Sequence, residues 1–112
     1  MYLRTIMPSK KKTKIVSPAS GWTFLTNHSH VLLCLAADDS LRVRDLADKV
    51  GITERAVMKI LSELEAGEVL ERERDGRRNR YSVQFDAPLR HDLEAHRTVG
   101  DLIHAVHSGK RR

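Results

Sequence analysis

One cysteine among 112 residues excludes an internal disulfide and any metal site built on several thiolates. Aromatic residues make up only 4% of the chain, so its core has to be made mainly of Leu, Ile, Val and Ala. No apolar run approaches the ~20 residues that span a bilayer. No charged start leads into an apolar stretch of the secretory kind. These absences predict a cytoplasmic protein with no membrane segment. Catalytic signatures are missing too: there is no phosphate loop, no nucleophile motif and no pair of carboxylates at a strand end. The expectation is a protein that is not an enzyme and carries no cofactor.

What remains suits one small globular domain, with 40% hydrophobic and 31% charged residues. The formal charge is +5 and the pI about 9.7, but the excess sits at the ends. Arg4, Lys10, Lys11, Lys12 and Lys14 open the chain without an acid, and Lys110, Arg111 and Arg112 close it. Of the 20 basic residues, 12 therefore fall in the body, against 15 acids. Net charge alone makes the ends sticky. A case for nucleic acid has to come from local segregation of charge.

The most patterned stretch is LRVRDLADKVGITERAVMKILSELEAGEVL, residues 41–70. Val43, Leu46, Ala47 and Val50 share one helical face. Gly51 follows as a left-handed cap, Ile52 supplies an apolar contact across the turn, and Thr53 is a good N-cap. Ala56, Val57, Ile60, Leu61 and Leu64 then make a second apolar stripe, with Arg55, Met58, Lys59 and Ser62 opposite. This spacing predicts a helix-turn-helix. Helical hairpins with a glycine turn also occur in proteins that never touch nucleic acid, so the flanks matter.

Upstream, Val31, Leu32, Leu33, Leu35 and Ala36 predict a mostly buried helix ending at Asp38-Asp39-Ser40, with Thr26 and Asn27 as candidate caps. Trp22 or Leu25 is expected to pack over its first turn. Cys34 lies in the apolar run and reads as a small core residue. Residues 1–21 read as a disordered basic arm, either a solubilising tail or a segment that reaches phosphates. Downstream, Gly67 is expected to end the second helix of the pair. The period then falls to two: VLERER and RYSVQF flank DGRRN, which predicts a β-hairpin. Arg74, Arg77, Arg78 and Arg80 crowd its tip, and four like charges within seven residues make most sense facing a polyanion.

Helix, helix, turn, helix, hairpin is the order of a winged helix-turn-helix, and residues 22–85 resemble that family. The stretch LRVRDLADKVGITERAVMKILSELEAGEVLERERDGRRNRY is most similar to small transcription regulators of the MarR and ArsR type. The fold expected is mainly α: a three-helix core, a small β-hairpin wing and a C-terminal helix. The resemblance implies that Leu41–Val43 forms a short strand pairing with the wing. It makes Arg44–Val50 the positioning helix, Thr53–Ala66 the recognition helix and Asp75–Asn79 the wing tip. It implies double-stranded DNA as partner, with Thr53, Glu54, Arg55, Met58 and Lys59 entering the major groove. Arg74, Arg77, Arg78 and Arg80 would meet the backbone or minor groove, and Arg44 completes the expected DNA-binding set. By their chemistry, Arg55 and Lys59 suit guanine, Glu54 suits cytosine N4, and Thr53 with the free N–H groups beside it suits a phosphate oxygen. A winged helix can also serve as a protein-interaction module, which is the alternative function.

Residues 86–112 read as a C-terminal dimerisation segment with a basic tail. Leu89 and Leu93 form one candidate face, and Val99, Leu102, Ile103 and Val106 another. One helix is expected, or two broken near Thr98–Gly100. Residues 86–109 hold Arg90 and Arg97 against Asp86, Asp92, Glu94 and Asp101, an acidic balance that is a poor DNA surface, so Leu93, Val99, Leu102, Ile103 and Val106 are expected at a homodimer interface. His91, His96, His104 and His107 read as solvated or packing residues rather than metal ligands, and no effector can be read.

Overall fold

The computed structural model describes residues 21–109. The basic arm (except Gly21) and the basic tail at 110–112 lie outside them. Helix α1, Asn27–Ala37, begins where Thr26 Oγ1 accepts the Ser29 N–H, and it buries Val31, Leu32 and Leu35. It stops at a turn built by Asp38, whose Oδ1 accepts the Ser40 hydroxyl at 2.6 Å and the Ser40 N–H at 3.0 Å. The Ser40 hydroxyl, then its N–H, hold the Asp38 carboxyl below the usual carboxylate range. The aromatic residues upstream do not close over α1. Trp22 stays 61% exposed with its ring edge-to-face against Phe24, while Leu25 is half-buried.

Helix α2, Val43–Val50, is followed by Gly51 at φ +87°, the left-handed cap that the sequence predicts. Gly51 and Ile52 both donate to the Ala47 carbonyl, at 2.8 and 3.1 Å. Thr53 Oγ1 then accepts the Ala56 N–H at 3.0 Å and starts α3, Glu54–Ala66. Gly67 does follow α3, but with φ −84°; the left-handed residue is Glu68, at φ +64°.

Strands β1, Leu70–Asp75, and β2, Arg78–Val83, pair antiparallel from Leu70–Val83 to Asp75–Arg78. The turn is the two-residue Gly76-Arg77. Gly76 has φ +67°, and a glycine in the first central position matches the twist of a tight hairpin. The expected tip at 75–79 is thus shorter, and Arg78 and Asn79 belong to β2. Phe85 is not a strand residue: it lies beyond β2 and is 49% exposed.

The expected strand at Leu41–Val43 is absent from the described residues, and the sheet has two strands. Local bonds occupy the backbone there. The Leu41 N–H reaches the Asp38 carbonyl at 3.4 Å, and the Arg42 N–H is taken by the Asp45 carboxylate at 3.0 Å. Val43 already belongs to α2.

The C-terminal segment differs most from expectation. Residues 86–98 are not helical. Ala87 and Leu89 run antiparallel to Arg97 and Val99, through Val99 N–H to Ala87 O at 2.7 Å, Leu89 N–H to Arg97 O at 2.9 Å and a Pro88–Thr98 bridge. Only then does α4, Val99–His107, begin, at the position where a break was expected. Thr98 Oγ1 accepts the Asp101 N–H at 3.1 Å, and the Asp101 carboxylate accepts the Thr98 N–H at 3.0 Å.

The core runs from Val31, Leu32 and Leu35 through Leu46, Val57, Ile60, Leu61 and Leu64 to Val69 and Leu70, and it includes Val99 and Ile103. Those last two are a correction to the expected interface set: at 3% and 5% exposure they are already covered by their own chain. Each such burial contributes about 1.5–3 kcal/mol to the monomer. Leu93 and Val106 are exposed, and Leu102 is half-buried. Cys34 packs half-buried against the core, and burial pushes its thiol pKa up.

Candidate nucleic-acid interface

Helix α3 divides into two faces. Val57, Ile60, Leu61 and Leu64 are buried, while Glu54, Arg55, Met58, Lys59 and Ser62 are exposed. Arg55 and Lys59 lie one turn apart and project from the same side. Met58 between them is 60% exposed, an apolar side chain held out of the core. Thr53 uses its oxygen to cap the helix, which leaves its hydroxyl hydrogen free to donate. The N–H groups of Glu54 and Arg55 precede the first intrahelical bond, so the helix start offers donors and a partial positive charge.

The acids of α3 are drawn off elsewhere. Glu63 Oε1 lies 2.8 Å from His28 Nε2 on α1, and Glu65 Oε2 lies 3.3 Å from Arg72 Nε on β1. The outer face of the N-terminal half therefore carries Arg55 and Lys59 against Glu54 alone.

The wing does not present a uniform cluster of arginines. Arg74 Nε donates to the Gly76 carbonyl at 3.1 Å, folding back over its own turn. Arg78, half-buried, donates from Nη2 to the Ser40 carbonyl in the α1–α2 turn. Arg80 Nη1 lies 3.4 Å from Asp75 Oδ2, and its Nε lies 3.8 Å from Asp39 Oδ1. Arg77, at the turn, is exposed and makes no hydrogen bond or ion pair among the described residues. Crowding at the tip is thus relieved by carboxylates and carbonyls, and one guanidinium stands clear.

Arg44 is exposed at the second position of α2. The sequence reading missed Arg42, the exposed residue at the start of that helix. Arg42 and Arg78 line one groove with Leu41, Leu46, Leu61 and Tyr81, which brings the start of α2 against α3 and the wing. The alternation Arg42-Val-Arg44 at a helix start was the available signal. Asp39 and Ser40, which hold the wing arginines, carried no signal of that kind, because their roles depend on Arg80 and Arg78, far along the chain.

Of the C-terminal histidines, His96 and His104 are exposed, and His91 and His107 make ordinary contacts. His107 Nε2 donates to the Leu33 carbonyl at 3.2 Å, and His91 Nδ1 accepts the Leu93 N–H at 3.0 Å. Among the described residues, no three His, Cys, Asp or Glu side chains are grouped so as to hold a metal ion. No helix among them is long and apolar enough to cross a membrane.

Residues 25–71 match a family described as winged helix-turn-helix DNA-binding. The match spans α1, α2, α3 and the start of β1. It supports DNA binding by a regulator, and the helices with their two-stranded hairpin form a winged helix-turn-helix fold. No curated protein and no solved structure gives a significant match.

Proposed function

We propose that the chain is a sequence-specific, double-stranded DNA-binding transcription regulator of the MarR or ArsR kind, working in the cytoplasm without catalysis. The observation that carries this reading is the outer face of α3. Its core face is complete, two of its acids pair with α1 and the wing, and Arg55, Met58 and Lys59 are left exposed beside a free helix start. In the major groove, Arg55 would make paired hydrogen bonds to a guanine, with Lys59 contacting the next base. Thr53 and the N–H groups of Glu54 and Arg55 would hold a phosphate and fix the helix's register. Arg77 would meet the flanking backbone or a narrow minor groove, and Arg42 and Arg44 the backbone at the start of α2.

A homodimer fits this reading, with Leu93, Leu102 and Val106 as the apolar residues left to a partner. One module covers only ~600–1,000 Å² of protein surface on DNA. Pairing two makes the second binding event intramolecular and raises avidity by ~10²–10⁴.

The experiment is selection of the full-length protein against a random duplex library, followed by titration over a salt series. An enriched motif with a steep salt slope is the expected result. A flat library together with weak, sequence-blind affinity would leave the fold as a protein-interaction module.

A further inference from the structure

Of the arginines on the wing, Arg80 alone stands between two acids, and one of them lies outside the hairpin. Asp75 adjoins the turn and faces Arg78 across the ladder. Asp39 belongs to the α1–α2 turn, yet Asp38 is the residue that builds that turn through Ser40. Asp39 makes no side-chain hydrogen bond among the described residues, and its ion pair is with Arg80. The side chains of Asp39, Asp75 and Arg80 are 55%, 58% and 43% exposed. At 3.8 and 3.4 Å these are loose, solvated ion pairs rather than tight hydrogen bonds. Exposed pairs of this sort add little to stability. A more strongly charged oxyanion arriving from solvent can displace them.

We propose that Asp39 is an intramolecular competitor for phosphate at Arg80, which lowers the wing's hold on DNA of any sequence. The inference rests on the DNA-binding reading above. Carboxylate and phosphate present the same kind of oxygen pair to a guanidinium. Each phosphate contact adds salt-dependent affinity, so an acid occupying Arg80 subtracts from binding to every duplex alike.

The test is a double-mutant cycle on the full-length protein, with Asp39→Asn, Arg80→Gln and the double variant titrated on a preferred and an unrelated duplex over a salt series. Asp39→Asn should tighten binding to both duplexes about two- to five-fold at low salt, the range of an exposed ion pair. Its log–log salt slope should steepen by about 0.9 as Arg80 takes up one phosphate. In the Arg80→Gln background the same substitution should change almost nothing, because its effect passes through Arg80. Equal tightening in both backgrounds would make Asp39 a general negative charge and overturn the proposal, as would no tightening at all. A wild-type chain that binds no duplex removes the DNA-binding reading itself, and this inference with it.

Discussion

The Gly100 N–H, in the first turn of α4, donates to the Phe85 carbonyl at 2.9 Å, tying the C-terminal helix to the exit of the wing. A Cβ at position 100 would meet that oxygen at 3.0 Å and the Phe85 Cβ at 3.2 Å. Gly100→Ala gains up to about 1 kcal/mol of helix propensity, but the contact is with backbone, where overpacking costs about 1–3 kcal/mol. Net destabilisation of about 1 kcal/mol is expected, read as a lower thermal midpoint. A midpoint that rises instead shows that the Phe85 backbone yields.

Ile103 and Val106 are three residues apart on α4 and should behave in opposite ways. Ile103→Asp places a charge in the core and should unfold the domain, with a loss of 3 kcal/mol or more. Val106→Asp, at an exposed position, should leave the circular dichroism spectrum unchanged. Combined with Leu93→Asp, it should give a folded monomer by sedimentation, with weakened operator binding. A wild-type chain that is already monomeric at tens of micromolar refutes the dimer.

Arg55 and Arg77 separate specificity from general affinity. Arg55→Ala should cost about 1–3 kcal/mol on the preferred duplex and relax preference at one base position. Arg77→Ala should weaken binding to all duplexes and make the salt slope shallower by about 0.9. If Arg55→Ala weakens every sequence equally, Arg55 is a phosphate contact.

Acid should loosen α4 through its capping box. The Thr98 backbone N–H, with a smaller contribution from its side chain, holds the Asp101 carboxyl below the usual carboxylate range. A carboxyl depressed on folding contributes stability that is present above its unfolded pKa and lost as pH falls through the folded one. The unfolding midpoint in urea should therefore fall as pH drops below about 5, where an unperturbed Asp begins to protonate. Asp38 acts with the same sign. Asp101→Asn should flatten that decline, and an unchanged slope would show that the carboxylate is not responsible.

Where the fold was legible in the sequence, the information was local. Thr26, Gly51 and Thr53 mark their helix ends because a cap acts within three or four residues, and the stripe Val57, Ile60, Leu61 and Leu64 faces inward by periodicity alone. Leu41–Val43 misled because an extended segment and a helix cap can begin with the same residues, and Asp45 decided for the cap. Residues 86–98 misled for a different reason. Leu89 and Leu93 have helical spacing, but Ala87 and Leu89 pair with Val99 and Arg97, and spacing within one segment does not register a partner ten residues on. Val99 and Ile103 were visible as apolar, but whether they cover a partner or their own core depends on where α4 docks. In the candidate site, the face of α3 followed from periodicity. The engagement of Arg78 and Arg80 depended on Ser40 and Asp39, which are distant in sequence.

The Arg78 guanidinium on the Ser40 carbonyl turns the hairpin from a cantilever into a braced beam. Beyond Leu70, Tyr81 and Val83, which pack on the core, the ribbon extends about 13 Å at ~3.3 Å per residue. A rocking of roughly 5° at the root would sweep its end through about 1 Å, more than the tolerance of a hydrogen bond. A brace one residue from Arg77 damps that sweep, so the backbone that carries the free guanidinium is held at a nearly constant height above the α1–α2 turn. Less motion then has to be frozen out when a charged surface arrives.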